Sequence, residues 1–201
     1  RAMMGPTGLQ LALIAGALVG LGVALLVWRL TPADPDLGDA LLPVPLGTGR
    51  TATAVAVGST FACAVLDDGS VRCWGENGSG QLGQGDTTDR GDQPGELGDA
   101  LPPIPLGTGR TATAITAGDE FACALLDDGS VKCWGNNARG QLGVGDTANR
   151  GDQGAELGDA LPSVPLGTGR TATAVTASAA HACARLDDAT VRCWGYNNVG
   201  Q

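Results

Sequence analysis

The run Phe121-Ala-Cys-Ala-Leu-Leu-Asp-Asp-Gly-Ser-Val-Lys-Cys-Trp-Gly135 decides how the chain is read. It recurs from Phe61 to Gly75 and from His181 to Gly195. Two β-prone arms flank a turn-forming Asp-Asp-Gly. A two-residue turn would put Cys123 and Cys133 on opposite faces of the hairpin. A three-residue loop, Asp127-Asp128-Gly129, pairs Leu126 with Ser130 and sets Cys123 directly opposite Cys133. That cross-strand pair is a non-hydrogen-bonded one, where Cα atoms about 4.5–5.5 Å apart suit a disulfide. The second register is preferred. It places Cys123, Leu125, Val131 and Cys133 on one face and Ala122, Ala124, Lys132 and Trp134 on the other. The third copy has Ala189 in the glycine slot, so a strained or altered turn is expected there.

The six cysteines form three Cys-x9-Cys pairs, Cys63/Cys73, Cys123/Cys133 and Cys183/Cys193. Three disulfides are the expectation, each contributing about 2–3 kcal/mol on the chain-entropy model. They imply an oxidising compartment, and three reduced, buried pairs are the alternative. Zinc knuckles need closer cysteine spacing, so no metal is expected. The net charge is −9, and all 21 acidic residues lie after residue 30. That opposes a phosphate-backbone grip on nucleic acid.

Residues 7–28 contain Gln10 as their only strongly polar side chain and are long enough to span a hydrocarbon core about 30 Å thick. An N-terminal membrane anchor over residues 1–30 is expected, with its transmembrane helix at about residues 7–28 and a Pro/Asp linker at 31–36. A cleaved signal is the alternative. Arg1 and Arg29 flank the span, so charge leaves its orientation open. The cysteines place the following repeats outside the cytoplasm, at the cell surface or in a periplasm.

From residue 37 the chain repeats every 60 residues, at 37–96, 97–156 and, truncated, 157–201. Leu-Gly-Asp-Ala-Leu opens each copy, and Pro-Leu-Gly-Thr-Gly-Arg-Thr-Ala-Thr-Ala recurs verbatim from Pro45, Pro105 and Pro165. Each copy offers four strand candidates: an edge-like one near Pro103-Ile104-Pro105-Leu106, one over residues 111–117, and the two hairpin arms. Four strands per unit with no helical pattern predict an all-β, partial β-propeller of about three four-stranded blades. Ala112, Ala114 and Ala117 suit the narrow inner strand, and Trp134 suits the widening gap farther out.

Residues 117–143 resemble the repeat of the regulator of chromosome condensation (RCC1) family, through Gly118, Cys123-Ala-Leu, Asp128-Gly-Ser-Val, Cys133-Trp-Gly and Gly140-Gln-Leu-Gly. The resemblance covers residues 37–201. It implies a seven-bladed ring of four-stranded blades, and the paired cysteines are similar to those of secreted and surface bacterial relatives. Ser178 and Ala189 depart from the pattern. Two copies and most of a third cannot close such a ring, so a longer protein is expected.

No catalytic constellation is proposed, and no cofactor or small-molecule substrate. His181 stands where the other copies have Phe61 and Phe121. Packing or a local hydrogen bond is expected of it, and no Ser-His-Asp or Cys-His arrangement is proposed. Gly78-Ser-Gly-Gln-Leu-Gly83 precedes no helix, which argues against a nucleotide site. Asp86, Asp89, Asp92 and Glu96, like Asp146, Asp152 and Glu156, follow no calcium-loop spacing. Arg90-Gly-Asp92 and Arg150-Gly-Asp152 spell an adhesion tripeptide that arises readily by chance. The expectation is a membrane-anchored, extracytoplasmic scaffold binding an unknown protein. The alternative is a guanine-nucleotide exchange factor or chromatin binder of the RCC1 type.

Overall fold

The computed structural model describes residues 42–201. The expected transmembrane span and linker, and residues 37–41 of the first repeat, lie outside the described residues. Among the described residues no helix is long and apolar enough to cross a membrane.

These residues form three antiparallel sheets of three strands each. The first comprises β1 (Ala52–Val57), β2 (Phe61–Leu66) and β3 (Val71–Gly75). The second comprises β4 (Ala112–Ala117), β5 (Phe121–Leu126) and β6 (Val131–Gly135). The third comprises β7 (Ala172–Ser178), β8 (His181–Leu186) and β9 (Val191–Gly195). The first strands of successive sheets are neighbours.

The hairpin register follows from its loop. Gly129 donates to Leu126 O (3.0 Å), and Leu126 donates to Ser130 O (2.9 Å). Cys123 therefore faces Cys133, and Cys63 and Cys183 likewise face their partners. All three pairs are disulfide-bonded, with Cα atoms 4.0 Å apart. The third turn keeps the same bonds, Ala189 N to Leu186 O and Leu186 N to Thr190 O. Ala189 is thereby held in the left-handed region at φ 66°, so the turn is strained rather than rebuilt. In the first strand of each sheet a β-bulge follows the opening residue, as between Ala112 and Ala114. The extra residue there, Thr113, hydrogen-bonds through Oγ1 to Leu125 O (3.2 Å).

The expected fourth strand is corrected in extent. Pro103 and Pro105 have no N–H, so only Ile104 between them can donate to a ladder. It gives a single bond, Ile104 N to Val71 O (2.8 Å), and Val164 N repeats it to Val131 O. The segment lies along the outer strand of the preceding sheet, so structural blade and sequence repeat are out of phase.

The core sits between sheets. Phe61, Cys63, Val65, Val71 and Cys73 of the first sheet pack against Ile115, Ala122, Ala124, Leu126 and Trp134 of the second. The cysteine face of the second sheet packs in the same way on Ala182, Ala184 and Leu186 of the third. The first and second disulfides thus sit under the alanine-and-tryptophan face of the following sheet. Alanine lets the sheets approach closely, and Trp134, fully buried, fills the outer gap and donates from Nε1 to Gln81 O (3.0 Å). Trp194 repeats this bond to Gln141 O.

Candidate interaction surface

The segments that follow the outer strands, 76–96 and 136–156, mix exposed positions with a few buried residues that anchor them. Asn77, fully buried, holds the first of these loops. Its Nδ2 donates to Asp86 O, Asp86 Oδ1 and Thr88 O, and its Oδ1 accepts from Leu82 N. Asn137 does the same for Asp146, Ala148 and Leu142. The acidic residues brace the loop. Asp89 accepts from Asn77 N, Asp86 pairs with Arg90 (2.7 Å), and Glu96 accepts from Gly91 N and Gln93 N. Among the described residues no group of three or more carboxylates, histidines or cysteines could hold a metal.

Of the two tripeptides, the first leaves its glycine and aspartate exposed and the second does not. Arg90 and Arg150 are folded back onto their own loops by Asp86 and Asp146 and by local carbonyls. Gly151 is buried, and its carbonyl accepts from Gly85 N of the preceding loop (3.0 Å). Gly80 of the Gly-rich stretch packs against Gly151 and Asp152, where a Cβ would not fit. These glycines serve contact between loops. His181 is half-buried and lies in the ladder opposite Ser178. A Cβ on Gly58 or Gly118 would run into the ring of Phe61 or Phe121. The third copy changes both members, gaining a Cβ at Ser178 and a smaller ring at His181.

The opposite rim carries the hairpin turns. Asp128 Oδ1 accepts from Ser130 N and Oγ (2.9 and 2.7 Å). The Ser130 hydroxyl is the main reason its carboxyl lies below the usual aspartate value, with the backbone bond and Arg110 assisting. Asp68 and Asp188 are lowered in the same way, chiefly by Ser70 and Thr190. Arg50, Arg110 and Arg170 each pair with the two turn aspartates at 2.9–3.5 Å. These pairs are solvent-facing and contribute little individually.

Between this rim and the next repeat lies a latch that the sequence reading did not identify. Thr48 donates to Asp99 from its N–H (2.8 Å) and its hydroxyl (2.5 Å), and Thr108 donates likewise to Asp159. Those threonine hydroxyls are the main reason Asp99 and Asp159 are lowered. Arg72 donates to Gly98 O, and Lys132 Nζ donates to Gly158 O (2.7 Å). Burial lowers the pKa of Lys132, opposed by Asp159 and Asp128. The signal was present in the verbatim blocks Gly-Asp-Ala-Leu and Gly-Thr-Gly-Arg. Within the sequence alone these blocks mark only the period, and the fold makes them partners of each other.

Family models described as the regulator of chromosome condensation (RCC1) repeat match residues 52–81, 112–141 and 172–201, and residues 68–125 and 128–185. The ultraviolet-B receptor UVR8 of Arabidopsis thaliana is 34% identical over 116 residues, covering 56% of this chain and 24% of the receptor. Human WBSCR16 superposes with a TM-score of 0.58 at 18% identity, over 74% of this chain and 35% of that one. Yeast RCC1 (Prp20), solved bound to Kap60, gives 0.51 at 21% identity, over 72% and 32%. The chain therefore spans about a third or less of these relatives. With its three repeats, all-β sheets and matched residues, the chain belongs to the regulator of chromosome condensation (RCC1) repeat family.

Proposed function

We propose that the chain is part of an extracytoplasmic RCC1-type propeller that binds a protein partner and is held by a membrane helix at residues 7–28. The observation that carries this reading is the disulfide in each of the three hairpins. Cysteine pairs closed across every blade belong to an oxidising compartment, and the apolar run before them supplies the means of retention. Binding is assigned to the propeller rims, where braced loops vary in sequence on a repeated frame. Protein binding is in keeping with the fold, since yeast RCC1 is known bound to Kap60. The residues responsible there are not carried over. The frame itself assigns no partner.

The test is fractionation of cells followed by intact-mass counting of alkylated thiols in the membrane extract. Membrane retention with no alkylation before reduction, and six sites after it, is the expected result. Free thiols in native protein, or recovery in the soluble fraction, would overturn the assigned location.

A further inference from the structure

The three near-identical copies diverge in one place. Within residues 42–81 and their counterparts, all three copies disagree at six positions, which in the second copy are Asp119, Glu120, Leu125, Asn136, Ala138 and Arg139. All but Leu125 lie on the rim away from the hairpin turns, in the turn between β4 and β5 and the loop after β6. Exposure alone does not produce this pattern. Thr48, Thr51, Asp67 and Asp68 on the hairpin rim are also exposed, yet identical in all three copies. Hydrogen bonds join the diverged positions into one strip. Asn136 N donates to Glu120 O, as Glu76 N does to Thr60 O and Tyr196 N to Ala180 O. Ser59 donates from N and Oγ to Asp119 O, and Asp119 N donates to Ala179 O, so the strip crosses both internal junctions. At the first junction Glu120 accepts from Ser79 Oγ (3.2 Å) and Asn136 Nδ2 (2.8 Å). Glu76 and Asp119 are exposed, and among the described residues neither is paired with a cation. At the second junction Arg139 stacks over Tyr196, its Cζ 4.3 Å from the ring centre, and takes part in none of those ion pairs. Arg50, Arg110 and Arg170 of the hairpin rim are all paired.

We propose that this rim, and not the hairpin rim, is the protein-binding face, and that its occupant is an extended basic segment of another protein laid across the sheets. The proposal rests on the protein-binding reading above and supplies its face and the chemistry of its partner. A frame braced by Asn77 and Asn137 holds each loop in the same place. Exchanging an exposed side chain on that frame alters the surface and leaves the packing intact. The charges point outward. Glu76, Asp119 and Glu120 outnumber the one guanidinium of Arg139, so the complementary surface is basic. Arginine or lysine side chains of the segment lie against the three carboxylates at the first junction. An acceptor group of the segment meets Arg139, whose guanidinium is positioned by the Tyr196 ring. The same carboxylates repel a phosphate backbone, which excludes nucleic acid from this face. The linear order of the strip suits an extended segment.

The test pans a random peptide library displayed on phage against the detergent-solubilised full chain. The enriched peptide, synthesised with a fluorescent label, is then titrated by anisotropy. Enrichment of arginine- and lysine-rich sequences is expected, with affinity that falls as salt is raised. The decisive variant combines Glu76→Asn, Asp119→Ser and Glu120→Thr, each the residue that a sibling copy already accommodates. It is expected to keep the parent circular dichroism spectrum and to weaken the peptide at least about tenfold. A chain carrying Arg50→Ser and Arg110→Ser on the hairpin rim is expected to bind as the parent does. Enriched peptides without basic residues, or equal binding to the triple variant, overturn the proposal. Binding lost in the arginine variant and kept in the triple variant overturns this face and leaves protein binding standing. An absence of enriched peptides overturns the proposal and the protein-binding reading together. Dimerisation of the full chain in sedimentation, abolished in the triple variant, puts a second copy on the rim and overturns the foreign segment as its occupant.

Discussion

Ala189 and Ala155 lie at φ 66° and 72°, the non-glycine residues with positive φ among those described. Each stands where a sibling copy has glycine: Gly69 and Gly129 for the first, Gly95 for the second. Replacing Ala189 with glycine is expected to raise stability by about 1 kcal/mol by relieving the left-handed alanine, read as a higher urea midpoint with an unchanged slope. Ala189 was legible because the turn type demands glycine at that position. Ala155 was not, because its loop has no regular register from which to derive a demand. Trp134→Phe keeps most of the ring but removes the donor to Gln81 O in a fully buried place. A loss of about 1–3 kcal/mol is expected for the orphaned carbonyl, measured by the same unfolding curves.

At the scale of the hairpin, the turn carboxylates set the response to acid. Asp68, Asp128 and Asp188 lie below the ordinary value of 3.8 because serine and threonine donate to their charged forms. Their stabilisation is complete above the unfolded value and is lost as pH falls through the lower folded value. Loosening is therefore expected only below about pH 4, followed by near-ultraviolet circular dichroism during acid titration. Burial also ranks the disulfides. Cys63, Cys73, Cys123 and Cys133 are fully buried, whereas Cys193 is exposed. Reductant is expected to open Cys183–Cys193 first, at native pH and without unfolding, which peptide mapping after timed alkylation would show. The hairpin register was legible because period-2 alternation allows the cysteines only one face-to-face arrangement. The proline segment was legible as an edge, but the sheet whose edge it forms was not. A pattern within one repeat cannot report a contact made with the repeat before it.

At the scale of the whole chain, stability resides in the junctions between sheets rather than within any one of them. The second sheet is packed on both faces, and β5 and β6 are buried along their whole length. Val55 and Val57 of the first sheet are 69% and 73% exposed, and Arg185 of the third lies open where Val65 and Leu125 are buried. Amide exchange is expected to be slowest in β5 and β6 and faster in β1 and β9, measured by mass spectrometry on the intact chain. The inter-sheet core was partly legible, since alternating faces and small residues predict close sheet approach. The loop braces were not, because Asn77 and Asn137 read as surface residues until the loop closes over them.

The paired change of glycine to Ser178 and Ala189 bears on how such an array can lengthen. A Cβ on Gly118 would lie 2.5 Å from Ser178 O across the second junction, and Ser178 carries that atom into any third one. A gene duplication that copied the second repeat would find room between the first and second sheets, where both flanking surfaces retain glycine. Tandem duplication is thus easiest where both glycines are kept, and a repeat packed on Ser178 and Ala189 must shift to clear their added carbons.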